Sequence, residues 1–133
     1  GAAGLTAMLR RTEILVCLLP LPPETERILN ASLFAQLPRG AYVINVGRGK
    51  QCDIDDLVAA LDSGHLGGAL LDVFPEEPLP AASPLWDHPK LRITPHIAAM
   101  VMPRSATRYV VEQIRAYEAG GKLVNLVDRG RGY

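Results

Sequence analysis

Three short apolar runs, separated by segments with helical periodicity, set the strongest limit on what this chain can fold into. The first, Ile14-Leu15-Val16-Cys17-Leu18-Leu19, is continuous and stops at Pro20, Pro22 and Pro23. The second covers residues 41–46 and breaks at Gly47-Arg48-Gly49; the third covers residues 69–74 and breaks at Pro75. All three read as strands, and the continuous first run as one buried on both faces, as in a parallel sheet. Between the first two, Asn30 is a suitable N-cap for a short helix with Leu33, Phe34 and Leu37 on one side. Between the second and third, Asp53 caps a helix whose Ile54, Leu57, Val58 and Leu61 fall at i, i+3, i+4 and i+7, and Gly64 closes it. A helix is expected over residues 1–11 and a short fourth strand at Leu91-Arg92-Ile93. A last helix starts near Pro103, turns Ala106, Tyr109, Val110, Ile114 and Tyr117 inward, and ends at Gly120-Gly121. Such alternation means βαβ units: an α/β protein whose parallel sheet is covered by helices.

The 133 residues suffice for one domain with a real core, and 48% hydrophobic with 21% charged residues is a globular balance. Acids and bases number 14 each, which argues against a nucleic-acid or anionic-membrane partner, since either needs a basic excess. A small anionic substrate stays open, because one well-placed arginine can hold it. No apolar run approaches bilayer length, and no signal-peptide order opens the chain. Cys17 and Cys52 match no metal or redox spacing and read as two free thiols, which points to the cytoplasm. His65, His88 and His96 lack metal-ligand spacing, so no metal site is expected, and His65 and His88 read as surface residues.

Ligands of a parallel α/β sheet bind beyond the carboxyl ends of the strands. Three turns there carry unusual residues. Arg48 stands between two glycines, a backbone setting that lets its guanidinium be aimed at an anion. Asp72 is an acid near the end of an apolar strand, costly to bury without a backbone donor or a cofactor carboxamide as partner, and Glu76 and Glu77 follow between prolines. His96, after Thr94-Pro95, has the side chain suited to proton transfer near neutrality. Taken singly, each also fits an ordinary solvated turn. Together, Arg48, Glu77 and His96 form what a 2-keto acid reductase needs: a bidentate grip on a carboxylate, and a proton donor whose charged form an adjacent glutamate favours.

The motifs that carry these residues resemble those of the D-isomer-specific 2-hydroxyacid dehydrogenases. Leu18-Leu19-Pro20-Leu21-Pro22-Pro23-Glu24-Thr25 is similar to the family's LPLTPET turn. Asn45-Val46-Gly47-Arg48-Gly49 is similar to the segment bearing its substrate arginine. Gly68-Ala69-Leu70-Leu71-Asp72-Val73-Phe74, continuing to Pro78, resembles the strand ending in DVFxxEP, and Thr94-Pro95-His96-Ile97 the catalytic histidine segment. Ser83-Pro84-Leu85-Trp86, His96-Ile97-Ala98-Ala99 and the ending Val127-Asp128-Arg129-Gly130-Arg131-Gly132-Tyr133 resemble the glyoxylate/hydroxypyruvate reductase branch.

The resemblance implies NAD(P)H-dependent reduction of a small 2-keto acid by a cytoplasmic homodimer, with NADPH favoured over NADH. It implies that Arg48 binds the keto acid, His96 protonates its carbonyl, and Glu77 orients His96 and raises its pKa. Asp72 would meet the nicotinamide carboxamide, and Pro20, Thr25, Val46, Arg48, His96 and Ala98 would line the cofactor, Ala98 adding a methyl where the family has glycine. The fold implied is part of a doubly wound, Rossmann-like sheet. Residues 1–122 would form a nucleotide-binding domain without its first βαβ unit, since no G-x-G-x-x-G occurs. Residues 123–133 would form a tail returning toward a substrate domain, making the chain a piece of a longer protein. A non-catalytic nucleotide-sensing or dimerisation module of the same fold is the alternative.

Overall fold

The computed structural model describes residues 2–99 and 102–130. Gly1 and the Arg131-Gly132-Tyr133 ending named above lie outside the described residues. The elements are α1 (Ala2–Leu9), β1 (Ile14–Cys17), α2 (Ala31–Phe34), β2 (Ala41–Asn45), α3 (Ile54–Asp62), β3 (Leu66–Leu71), β4 (Leu91–Ile93) and α4 (Pro103–Glu118). The chain divides into two compact units, one up to Ala98 and one from Ala99, whereas the sequence placed its boundary at residue 122.

In the first unit the four strands form one sheet in the order β1-β2-β3-β4, and every neighbouring pair is parallel. The turns after all four strands therefore open on a single edge. The local signals behave as their chemistry requires. Asn30 accepts from the Leu33 amide and Asp53 from the Asp56 amide, so α2 and α3 each start at a side-chain cap. Gly64 takes a φ of +69° just after α3, a conformation open to glycine at little cost. Leu33, Phe34, Leu37, Leu57 and Leu61 are buried against Val43, Leu66 and Leu71 in one core.

Strand β1 is not buried on both faces as its continuous apolar run implied. Pairing sets Leu15 beside Val43 and Cys17 beside Asn45 on the core side; Ile14 beside Tyr42 and Val16 beside Ile44 lie on the other. That second face is open: Ile14 is 59% exposed, Val16 46% and Tyr42 51%. Strand β3 also starts three residues before the expected run, at Leu66 rather than Ala69. Its two glycines, weak strand formers in isolation, let the Tyr42 ring come down onto the strand; a Cβ at Gly68 would lie 2.7 Å from that ring.

In the second unit, α4 begins with Pro103 in its first turn and is followed by Gly120 at φ +71°. Its expected inward face is uncovered, with Tyr109, Val110, Ile114 and Tyr117 all exposed. The following segment folds back on the helix: the Val124 amide donates to Gln113 and the Asn125 amide group to the Tyr109 hydroxyl. No helix among the described residues is long and apolar enough to cross a membrane.

Candidate active site

The four turns on the carboxyl edge are residues 18–25, 46–51, 72–77 and 94–98, and side-chain hydrogen bonds join them in two pairs, the first with the second and the third with the fourth. His96 Nδ1 lies 2.7 Å from Glu77 Oε2. The other Glu77 oxygen accepts from the Phe74 amide at 2.8 Å, so the carboxylate is held at both ends. The hydrogen bond from His96, followed by that from Phe74, holds the Glu77 carboxyl below its ordinary range. An ionised carboxylate only accepts, so Nδ1 carries the hydrogen and Nε2 points elsewhere. Among the described residues nothing engages Nε2. A cavity of about 210 Å³ borders the pair, walled on its apolar side by Phe74, Leu79, Trp86 and Ile93.

Asp72 decides where His96 stands. Its carboxylate, 2% exposed, takes the Thr94 hydroxyl and the Ile97 amide on Oδ1 and the Ala98 amide on Oδ2. Burial alone would raise the Asp72 pKa, but these donors from Thr94, Ala98 and Ile97 outweigh it and hold the carboxyl below its ordinary value. The loop so clasped carries His96 at φ +54°, a left-handed conformation uncommon for a residue with a Cβ. Of the two partners open to Asp72, backbone donors are the ones the fold supplies. The carboxylate is thereby anchored within the chain by three donors, two on Oδ1 and one on Oδ2.

Arg48 lies on the neighbouring turn with its side chain exposed, one guanidinium nitrogen donating to the Gly47 carbonyl at 2.8 Å. It bonds to neither Glu77 nor His96. What brings its turn to theirs is Gly49: a Cβ there would lie 1.9 Å from the Phe74 carbonyl carbon and 2.0 Å from its oxygen. Gly49→Ala should therefore cost about 1–3 kcal/mol, the usual range for overpacking, because the obstacle is backbone and cannot swing away. Denaturant titration checks this, and wild-type stability in the variant would contradict the close approach.

The remaining expected residues shape the rim. Thr25 Oγ1 donates to the carbonyls of Pro20 (2.7 Å) and Pro22 (3.1 Å), closing the turn after β1. The half-buried Val46 donates its amide to the Cys17 carbonyl at 3.2 Å, and Ala98 is reached only through its amide on Asp72. Sequence reasoning overlooked Asn45 and Gln51, both 0% exposed, and the part played by Thr94. Asn45 Oδ1 accepts the Gly47 amide and its Nδ2 donates to the Arg48 carbonyl, which shapes the arginine turn from below. The signal for it was an amide side chain inside an apolar strand.

His65 and His88 are half-buried rather than superficial, His65 Nε2 lying 2.8 Å from the Phe34 carbonyl and His88 Nε2 3.3 Å from Asp62. Cys17 and Cys52 are buried free thiols, and burial reinforced by the Asp53 charge pushes Cys52 up to about 12, so it stays protonated. Among the described residues no cluster of three or more His, Cys, Asp or Glu side chains is placed to hold a metal.

A parallel sheet bearing an arginine turn and a carboxylate–imidazole pair on its carboxyl edge is the frame of a nucleotide-dependent α/β domain. Residues 1–98 match the D-isomer specific 2-hydroxyacid dehydrogenase, NAD binding domain. The chain belongs to the D-isomer-specific 2-hydroxyacid dehydrogenase family. It is similar to a D-isomer specific 2-hydroxyacid dehydrogenase from Xanthobacter autotrophicus Py2 in complex with NADPH and MES, at 50% identity and a TM-score of 0.94, over 100% of this chain and 55% of that one. It is also similar to an NADPH-dependent glyoxylate/hydroxypyruvate reductase from Sinorhizobium meliloti in complex with NADP and sulfate, at 47% identity and a TM-score of 0.94, over 99% of this chain and 43% of that one. A probable 2-hydroxyacid dehydrogenase from Rhizobium etli CFN 42, in complex with NADP, HEPES and L(+)-tartaric acid, is 44% identical with a TM-score of 0.90, over 99% of this chain and 43% of that one. The chain thus spans about half the length of the solved relatives it matches.

Proposed function

We propose that, in its full-length protein, this chain works in the NADPH-dependent reduction of a small 2-keto acid, glyoxylate or hydroxypyruvate, to the 2-hydroxy acid. The observation that carries the reading is the 2.7 Å His96–Glu77 pair, which commits Nδ1 and leaves Nε2 as the working nitrogen. The similarity to NADPH-bound and NADP-bound relatives supports the choice of cofactor and substrate class.

The chemistry of the edge fits the reactive end of a nicotinamide cofactor beside a keto acid: an exposed guanidinium, an imidazole with one uncommitted nitrogen, and an apolar wall. When bound, the reduced nicotinamide supplies the hydride that attacks the carbonyl carbon. Arg48 holds the substrate carboxylate and draws charge toward the carbonyl. Protonated His96 gives its Nε2 proton to the carbonyl oxygen as negative charge develops there, and returns to the neutral form. Glu77 stays ionised throughout and keeps the ring oriented, with its negative charge facing the imidazolium that starts each cycle. Pro20, Thr25, Val46 and Ala98 shape the rim on which the nicotinamide would rest.

The same reading takes the full-length protein to be a cytoplasmic homodimer, with residues 123–133 returning toward a substrate domain. Mixing the full-length protein with glyoxylate and NADPH should consume nicotinamide absorbance at a kcat of about 1–1,000 per second. Intact NADPH binding with no turnover on glyoxylate or hydroxypyruvate would sink the proposal in favour of a non-catalytic nucleotide-sensing module.

A further inference from the structure

Gln51 lies three residues beyond Arg48, at the end of the 3-10 turn Gly49–Gln51, and is wholly buried. Its carboxamide spans two separate turns. Nε2 donates to the carbonyls of Leu19 (2.9 Å) and Pro20 (2.8 Å), both in the turn after β1. Oε1 accepts the Arg48 amide (2.8 Å), in the turn after β2, and the Cys17 thiol (3.5 Å). These backbone groups lie beyond the strand ends, where the sheet no longer supplies partners, and Pro20 adds no amide of its own. A carboxamide meets all of them because it carries two donors and an acceptor on one planar group. Room for it comes from Gly47, where a Cβ would sit 2.3 Å from Oε1.

We propose that Gln51 is a positioning residue for keto-acid reduction, a clasp that holds the Arg48 turn at a set spacing from the Leu19–Pro20 turn. The inference rests on the reading that Arg48 receives the substrate carboxylate and Pro20 borders the cofactor. Among the described residues the Arg48 guanidinium is tethered only to the neighbouring Gly47 carbonyl, so its aim follows its backbone, and Gln51 holds that backbone. The His96–Glu77 pair belongs to other turns and makes no contact with Gln51. Loss of the clasp therefore acts on binding more than on proton transfer.

Gln51→Met in the full-length protein keeps length and bulk while removing every hydrogen bond. The KM for glyoxylate should rise about tenfold, the size of one or two lost hydrogen bonds, while saturated kcat falls far less. The dissociation constant for NADPH, read by nucleotide fluorescence, should rise several-fold as the Pro20 turn loosens. Gln51→Asn, too short to bridge the turns, should show the same split if the methionine variant fails to fold. Val58→Ala, a half-buried change in α3 away from the rim, should lower the melting temperature without moving either constant. A kcat loss at unchanged KM, or a melting shift alone as in Val58→Ala, would overturn the clasp. Wild-type protein that binds NADPH but reduces neither glyoxylate nor hydroxypyruvate refutes the proposed reaction instead; the clasp is then judged on the NADPH dissociation constant, and no change in Gln51→Met overturns it.

Discussion

His96→Ala in the full-length protein should lower kcat for 2-keto acid reduction by about 10²–10⁴-fold, the range that a positioned general acid contributes. The dissociation constant for NADPH should stay near its wild-type value, because the variant removes the proton donor and leaves the sheet edge in place. Alanine also removes the bulk that keeps φ +54° costly at this position only in part, so the loop should remain clasped by Asp72. Glu77→Gln should fall between the two proteins: the amide oxygen still accepts from Nδ1, but the negative charge beside the imidazolium is gone. Stopped-flow measurement of nicotinamide oxidation, with NADPH binding followed separately, distinguishes these effects. Wild-type turnover in His96→Ala would exclude the imidazole as the acid.

Asp72→Asn should destabilise the first unit by about 2–4 kcal/mol, from the loss of charge-assisted hydrogen bonds around a buried group. The carboxylate receives three donors and offers none. An amide in its place must turn an N–H toward the Thr94 hydroxyl or toward a backbone amide that also donates. With the clasp loosened, His96 loses the support that keeps it left-handed, and turnover should fall together with stability. Acid titration gives a second signature. The Asp72 carboxyl sits below its ordinary value in the folded chain, so its contribution is complete above about pH 4 and disappears as pH falls through the folded value. Glu77, also depressed by its partners, adds to the same limb. Stability of the wild type should therefore decline more steeply below about pH 4 than that of Asp72→Asn. Parallel acid limbs in urea titrations would show that the Asp72 hydrogen bonds contribute nothing.

Both variants act on residues whose names were visible in the chain and whose partners were not. Strand–helix alternation, the Asn30 and Asp53 caps and the Gly64 stop could be read directly, because each rests on interactions within a few residues. So could the arrival of Arg48, Glu77 and His96 on one edge, since an all-parallel sheet delivers every strand's carboxyl end to the same side. Apolar content misled where it stood for burial. The runs at β1 and β2 are apolar on both sides, but only the side under the helices is covered in the first unit, and α4 exposes the stripe that periodicity turned inward.

Local pattern therefore settled the class of fold, the order of its elements and the identity of the groups on the rim. The arrangement of those groups depended on contacts between distant segments. Asp72 meets Thr94 across 22 residues and Ala98 across 26, Gln51 reaches Leu19 across 32, and Gly49 passes against the Phe74 backbone. Spacing along the chain cannot encode such pairings, because they exist only after parallel strands bring their turns together. For that reason the particular donors on Asp72 were not legible, and Gln51 carried no visible role, until the sheet supplied the donors and carbonyls that each of them holds.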